Sequence, residues 1–126
     1  MKKIAAIILV LAVPTPPIAV HARDRGQFKD TTPEMRQWFE NLRSGKGPCC
    51  ADADGTVITD NDWDMREGRY FVRVPRTPLS EDTVWVPVPD EAIITEPNRV
   101  NRPMVWPYYP GGGSVTIRCF MPGTLT

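Results

Sequence analysis

The sequence predicts a small, mainly β domain of the α+β kind: one N-terminal amphipathic helix, then a small antiparallel sheet or SH3-like, partly open barrel of about five or six strands. Three observations carry this. One stretch has the apolar spacing of a helix, several short stretches alternate with period two, and eleven prolines are scattered along the part beyond residue 22 in a way that an all-helical bundle does not tolerate.

In "MKKIAAIILVLAVPTPPIAVHA" a Lys2-Lys3 start, an apolar run from Ile4 to Val13, and Val20 and Ala22 before the break form the pattern of a cleaved secretory signal. The run falls short of the roughly 20 apolar residues needed to cross a bilayer. Pro14, Pro16 and Pro17 break up the residues just after it, and no cysteine is placed to carry a lipid. The expectation is a periplasmic or secreted protein without a stable membrane anchor after cleavage. Residues 1–22 are then the signal, 23–31 a flexible N-terminal segment and 32–126 a single disulfide-stabilised domain. Cleavage takes the 15 basic residues to 13 against 15 acidic ones, a net charge of −2, with the two signs interspersed. Nucleic-acid binding loses its electrostatic footprint. The only histidine, His21, also leaves, and with it any Ser-His or Cys-His dyad and the usual His-containing zinc sites.

The helix is predicted in "TTPEMRQWFENLRSGKG", where Met35, Trp38, Phe39 and Leu42 follow the i, i+3, i+4, i+7 pattern of one apolar face. Thr32 is a natural cap, Pro33 suits the first helical position, and Glu34 lies by the positive end of the dipole. Ser44-Gly45 and Gly47-Pro48 stop the helix. Core packing is the expected use of that stripe. "TVITD" then leads into an acidic turn, "DNDWDMREG", and "RYFVRVP" alternates Tyr70, Val72 and Val74 against Phe71 and Arg73, so a hairpin across that turn is expected. In "TVWVPVPDEAIIT", Val84, Val86 and Val88 share one face, and Trp85, Pro87 and Pro89 the other. Both prolines delete donors on one side of the strand, which predicts a sheet edge, or a chain that leaves the sheet there. "RPMVWPYYP" and "VTIRCF" form a last pair, and Gly111 to Gly113 give the loop between them its freedom.

"WFENL", "CCADAD", "WVPVPDEAI", an Asn-containing turn before "VW", and "RCFMPG" together resemble a family of small, secreted, uncharacterised bacterial proteins with a CC-x-x-AD motif, a WVPVP strand and a terminal CF-x-P-G. The resemblance covers roughly Trp38 to Gly123, and Cys49, Cys50, Ala53 and Asp54 occupy the first motif. Relatives often carry "NPTG" where this chain has "NRVN" from Asn98 to Asn101. It implies secretion and a shared fold, and it brings no activity, cofactor or partner.

The chain has three cysteines, Cys49, Cys50 and Cys119. In an oxidising compartment one of the adjacent pair is expected to bridge to Cys119, closing a loop that stabilises by about 4 kcal/mol in the chain-entropy account. The remaining thiol is either an inert small hydrophobe or the attacking group of a redox exchange at the Cys49-Cys50 pair. A soft-metal reading adds Met121, giving Cys49, Cys50, Cys119 and Met121 as sulfur ligands for Cu(I). Asp60, Asp62 and Asp64 fall on the first three ligand positions of an EF-hand loop, but Met65 and Phe71 stand where glycine and glutamate are required, so a solvated turn is expected. Carboxylates with Trp63, Trp85 and Trp106 as stacking platforms would suit a glycan hydrolase, although core packing is the commoner use of tryptophan. Trp85 with Tyr108 or Tyr109 is the candidate surface patch for an envelope protein, a peptide or a glycan. No phosphate loop, nucleophile elbow or CxxC is present. No cofactor is expected, and no catalytic constellation stands out. The expected function is an exported binding or structural module of the cell envelope, with a thiol-based redox or Cu(I)-handling protein as the alternative.

Overall fold

The computed structural model describes residues 31–50, 55–111 and 113–124. The expected signal, the segment up to residue 30, and Asp52, Ala53 and Asp54 lie outside the described residues. Within them the chain is mainly β, with one α-helix. Helix α1 (Pro33–Asn41) begins as the sequence predicts: Thr32 is its cap and accepts from the Met35 N–H at 3.3 Å. It stops a turn earlier than the glycines suggest. Leu42 is already extended, and its carbonyl accepts from the Cys49 N–H, so Arg43 to Pro48 fold into a minimal hairpin of β1 (Arg43–Ser44) and β2 (Gly47–Pro48). Gly47, at φ 111°, makes that hairpin possible.

Among the described residues eight strands form three antiparallel sheets, against the five or six expected, because β1, β2 and β3 (Thr56–Val57) are two-residue ladders. The other five carry the fold. A three-stranded sheet is built from β4 (Trp63–Arg66), β5 (Arg69–Pro75) and β6 (Thr83–Pro87), and a second from β3, β7 (Met104–Tyr108) and β8 (Thr116–Met121) in the order β3-β7-β8. No ladder among the described residues joins the two sheets into a closed barrel.

The expected hairpin partner for "RYFVRVP" is corrected. "WDMR" is itself a strand and pairs with β5 from Trp63↔Val72 to Arg66↔Arg69, whereas Thr56 and Val57 pair with β7. The turn is Glu67-Gly68 alone, with both residues at positive φ (49° and 76°), the geometry whose twist suits a two-residue hairpin. The edge expectation for β6 holds, since among the described residues β5 is its only ladder partner. The Val88 N–H donates to the Tyr70 carbonyl at 2.8 Å, so this residue turns inward. Pro87 and Pro89, one position out of phase, then lack their donors on the far side, where no strand needs them.

The layers follow from alternation. Val72, Val74 and Trp63 of the first sheet, with Val88 just past β6, pack against Val105, Ile117 and Phe120 of the second, making one buried cluster. The opposite face of the second sheet carries Met104, Trp106, Cys119 and Met121, which pack against Trp38 and Leu42 of the helix end to make another. β8 serves both because its pairing shifts between Trp106↔Cys119 and Pro107↔Ile117, leaving Arg118 as an extra residue. That bulge lets Ile117 and Phe120 face one core while Cys119 and Met121 face the other, and it accommodates Pro107, which has no N–H to give a ladder.

Glycine is required where Gly55 meets Trp106: a Cβ there would lie 2.4 Å from the indole Nε1. Gly55→Ala is expected to destabilise by about 1–3 kcal/mol through overpacking, whereas Gly111→Ala, whose Cβ would meet nothing within 4 Å, is expected to change little. Urea unfolding of the two variants beside the parent checks this, and equal midpoints would refute it.

Candidate functional site

Cys49 is the cysteine that bridges to Cys119, so the choice left open by the sequence is made. The Cα atoms are 5.6 Å apart, inside the span of about 4.4–6.8 Å that a bridge permits, and both residues are fully buried in the helix-side cluster. Local structure explains the choice. The β1-β2 hairpin returns the chain antiparallel to its own start, and the Cys49 N–H on the Leu42 carbonyl (2.9 Å) fixes residue 49 under the sheet. Cross-links to β8 fix the register: Ser44 Oγ donates to the Arg118 carbonyl (3.0 Å), Lys46 Nζ to the Ile117 carbonyl (3.1 Å), and Arg118 Nε to the Pro48 carbonyl (3.1 Å). Cys50 is half-buried, and its thiol donates to the Phe39 carbonyl at 3.8 Å.

The bridge commits two of the sulfurs in the alternative metal set. Cys119 and Met121 do share one face of β8, but that face is core, with Met121 1% exposed. The acidic turn is also committed. Asp62 Oδ2 accepts from the Thr59 hydroxyl (2.6 Å) and the Thr59 N–H (3.3 Å), and its Oδ1 accepts from Arg73 Nε (2.8 Å) and a terminal nitrogen of the same guanidinium. Asp64 pairs with Arg66 at 3.1 Å and accepts from the Met65 N–H. Partial burial of Asp62 raises its pKa, but the Thr59 hydroxyl, the Arg73 guanidinium and the Thr59 N–H outweigh this, and the carboxyl titrates below the ordinary aspartate value of 3.8.

The tryptophans separate by depth. Trp106 and Trp63 are core residues; Trp63 lies against Tyr70 and Phe120 (5.9 and 6.0 Å between ring centres), and its buried Nε1 has no acceptor among the described residues. Trp38 anchors the helix, donating to Glu96 (2.7 Å) beneath the Arg99 guanidinium (5.6 Å). Trp85 is the exposed one, at 37%. It lies on the outer face of the first sheet between two arginines, Arg66 at 4.8 Å and Arg73 at 5.9 Å from the ring centre, and Arg66 also covers Phe71 at 4.9 Å. Of the other patch residues, Tyr108 is exposed. Tyr109 packs on the inter-sheet core and donates its hydroxyl to the Pro75 carbonyl (2.9 Å).

The arginine frame around Trp85 escaped the sequence reading. Its signal was present in part, since alternation in "RYFVRVP" puts Phe71 and Arg73 on one face, but Arg66 joins them only if "WDMR" is a strand.

Two residues behind the family resemblance have packing roles. Asn98 donates to the carbonyls of Arg102 (2.8 Å) and Pro122 (3.0 Å), tying the turn to the terminal "MPG", and a Cβ on Gly123 would lie 3.0 Å from Pro103. No protein-family model, curated protein or solved structure matches the chain.

The depressed pKa of Asp62 has a stability consequence of definite sign. A carboxyl that titrates lower when folded stabilises above its unfolded pKa, and this stabilisation is lost as pH falls through the folded value. Asp62→Asn is therefore expected to lower the melting temperature most near neutral pH, with the gap to the parent closing below pH 3.8. Thermal melts across that range check it; a gap that is constant or widens in acid would count against the assignment.

Proposed function

We propose that the protein is an exported, disulfide-stapled binding or structural module of the cell envelope, periplasmic or secreted. The buried Cys49–Cys119 bridge carries this reading, because a disulfide persists in an oxidising compartment and is rare in a reducing one. The secretory pattern before Arg23 and the resemblance through "CCADAD" and "WVPVP" support the same compartment. The committed carboxylates favour a module over a hydrolase: Asp62 and Asp64 are engaged by arginines, and Trp63 and Trp106 are core residues. The outer sheet face adds recognition chemistry, an exposed tryptophan beside two arginines.

One observation favours the alternative of a thiol-based redox or Cu(I)-handling protein: a half-buried thiol, Cys50, directly adjoins a bridged cysteine. Exchange would require the Cys50 thiolate to attack a sulfur of the bridge, releasing Cys49 or Cys119 as a thiolate.

Alkylation, intact mass and peptide mapping on protein recovered from its own compartment separate the two. The module predicts a single slowly alkylated thiol at Cys50 and one bridge, and the double variant Cys49→Ala/Cys119→Ala loses about 4 kcal/mol of stability. Rapid alkylation near neutral pH, a mixture of Cys49 and Cys50 bridges, or three thiols protected by Cu(I) would overturn it for the alternative.

A further inference from the structure

The outer face of β4-β5-β6 has a composition that a solvated sheet face does not need. Along β5, Arg69, Phe71 and Arg73 point outward in succession, at about 7 Å intervals. Arg66 reaches from β4 across Phe71 to the Trp85 ring on β6, and Arg73 meets the same ring from β5. Two guanidinium groups from different strands are thus gathered at one exposed indole. Neither is spent. Arg66 uses Nε on Asp64, and Arg73 uses Nε and one terminal nitrogen on Asp62, so terminal N–H donors of both remain.

A second feature points the same way. Arg66 and Arg69 are direct cross-strand partners at the end of the hairpin. Like charges in that position oppose pairing, and among the described residues the ion pair that meets either of them is Arg66 with Asp64. No ion pair or hydrogen bond among the described residues engages the Arg69 side chain. An anion laid across this end would remove the repulsion.

We infer that this face is a recognition surface for a carboxylate-bearing polysaccharide, with Arg66, Arg69 and Arg73 receiving the carboxylates around Trp85. The inference rests on the reading of the chain as a binding module. Guanidinium forks match carboxylates in a planar, two-bond geometry, and stacking on an aromatic ring leaves their N–H edges outward for that purpose. A neutral sugar is disfavoured, because two guanidinium groups already lie over the Trp85 ring on which its C–H surface would stack. An acidic peptide is disfavoured by the edge. It would have to order its backbone residue by residue, and strand addition at β6 meets Pro87 and Pro89, which donate nothing on that side. A stiff polyuronide gives up less freedom and presents carboxylates at regular intervals.

The test is titration of the purified protein with polygalacturonate in low-salt buffer, following tryptophan fluorescence and calorimetry, with poly-L-glutamate and anionic phospholipid vesicles as parallel probes. Saturable binding to polygalacturonate is expected, weakened by salt, reduced roughly 3-fold in Arg69→Gln and roughly 10-fold in Arg66→Gln/Arg69→Gln. Arg69→Gln removes no hydrogen bond or ion pair among the described residues and relieves the opposition to Arg66, so its melting temperature should equal or slightly exceed the parent's and its affinity loss be read directly. Absence of binding, binding indifferent to both variants, or equal or tighter binding to poly-L-glutamate or vesicles would overturn the inference. The thiol map scores the module separately: a stapled, exported chain blind to polygalacturonate leaves that reading standing and removes this one.

Discussion

The fold depends on one strand facing two cores. β8 carries Ile117 and Phe120 toward the outer sheet and Cys119 and Met121 toward the helix, and neither cluster is large enough to stand alone in a chain of this length. The switch is the extra residue at Arg118. Without it, strict alternation would put Ile117, Cys119 and Met121 on one face and Phe120 on the other, splitting both clusters. The bulge is also where the chain around the helix end is tied down, since the Arg118 carbonyl accepts from Ser44 and its guanidinium reaches the Pro48 carbonyl. The disulfide then makes permanent what the bulge arranges. It joins a segment following the helix to a strand 70 residues on, so that the loop with most entropy to lose on folding is already closed.

Much of this architecture was legible in the sequence. The helix, its Thr32 cap, the valine face of β6 and the proline-marked edge all rest on local rules, and all hold. What was not legible depends on tertiary context. "WDMR" reads as a turn because two aspartates flank Trp63, and aspartate is a turn residue. Its strand is imposed from outside: Trp63 is drawn into the core, Arg73 holds Asp62 at the entry, and the hairpin closes through Glu67-Gly68 without the Asn-Gly or Asp-Gly signal. The choice between Cys49 and Cys50 was beyond local rules for a similar reason. Nothing in the neighbouring residues distinguishes the two, and only the β1-β2 hairpin, too short to announce itself, and the turn it leads into decide which side chain reaches the core.

Missing that strand also hid the candidate surface. Read as a turn, Arg66 is one more solvated charge; read as a strand, it is forced onto the same face as Phe71 and Trp85 and directly opposite Arg69. The arginine frame is thus a product of register, and a one-residue slip in β4 would send Arg66 to the core face and dissolve it.

The division of labour between the layers makes the outer sheet a place where function can reside. The disulfide, the helix and the Asn98 ties all lie around the helix side of the second sheet. The outer sheet is attached by apolar packing and by the Tyr109 hydroxyl on the Pro75 carbonyl, and its solvent face takes no part in either cluster. Residues there are constrained by cross-strand register alone, and exposed cation–π and ion-pair contacts contribute only about 0.5–1 kcal/mol each. A sheet whose inner face is secured by valines, Trp63 and Phe120 can carry a costly arrangement on its outer face, including two arginines opposed across a hairpin end, without endangering the fold. An arrangement that stability does not demand, and that opposes its own charges, is most simply understood as prepared for an anion that comes from outside.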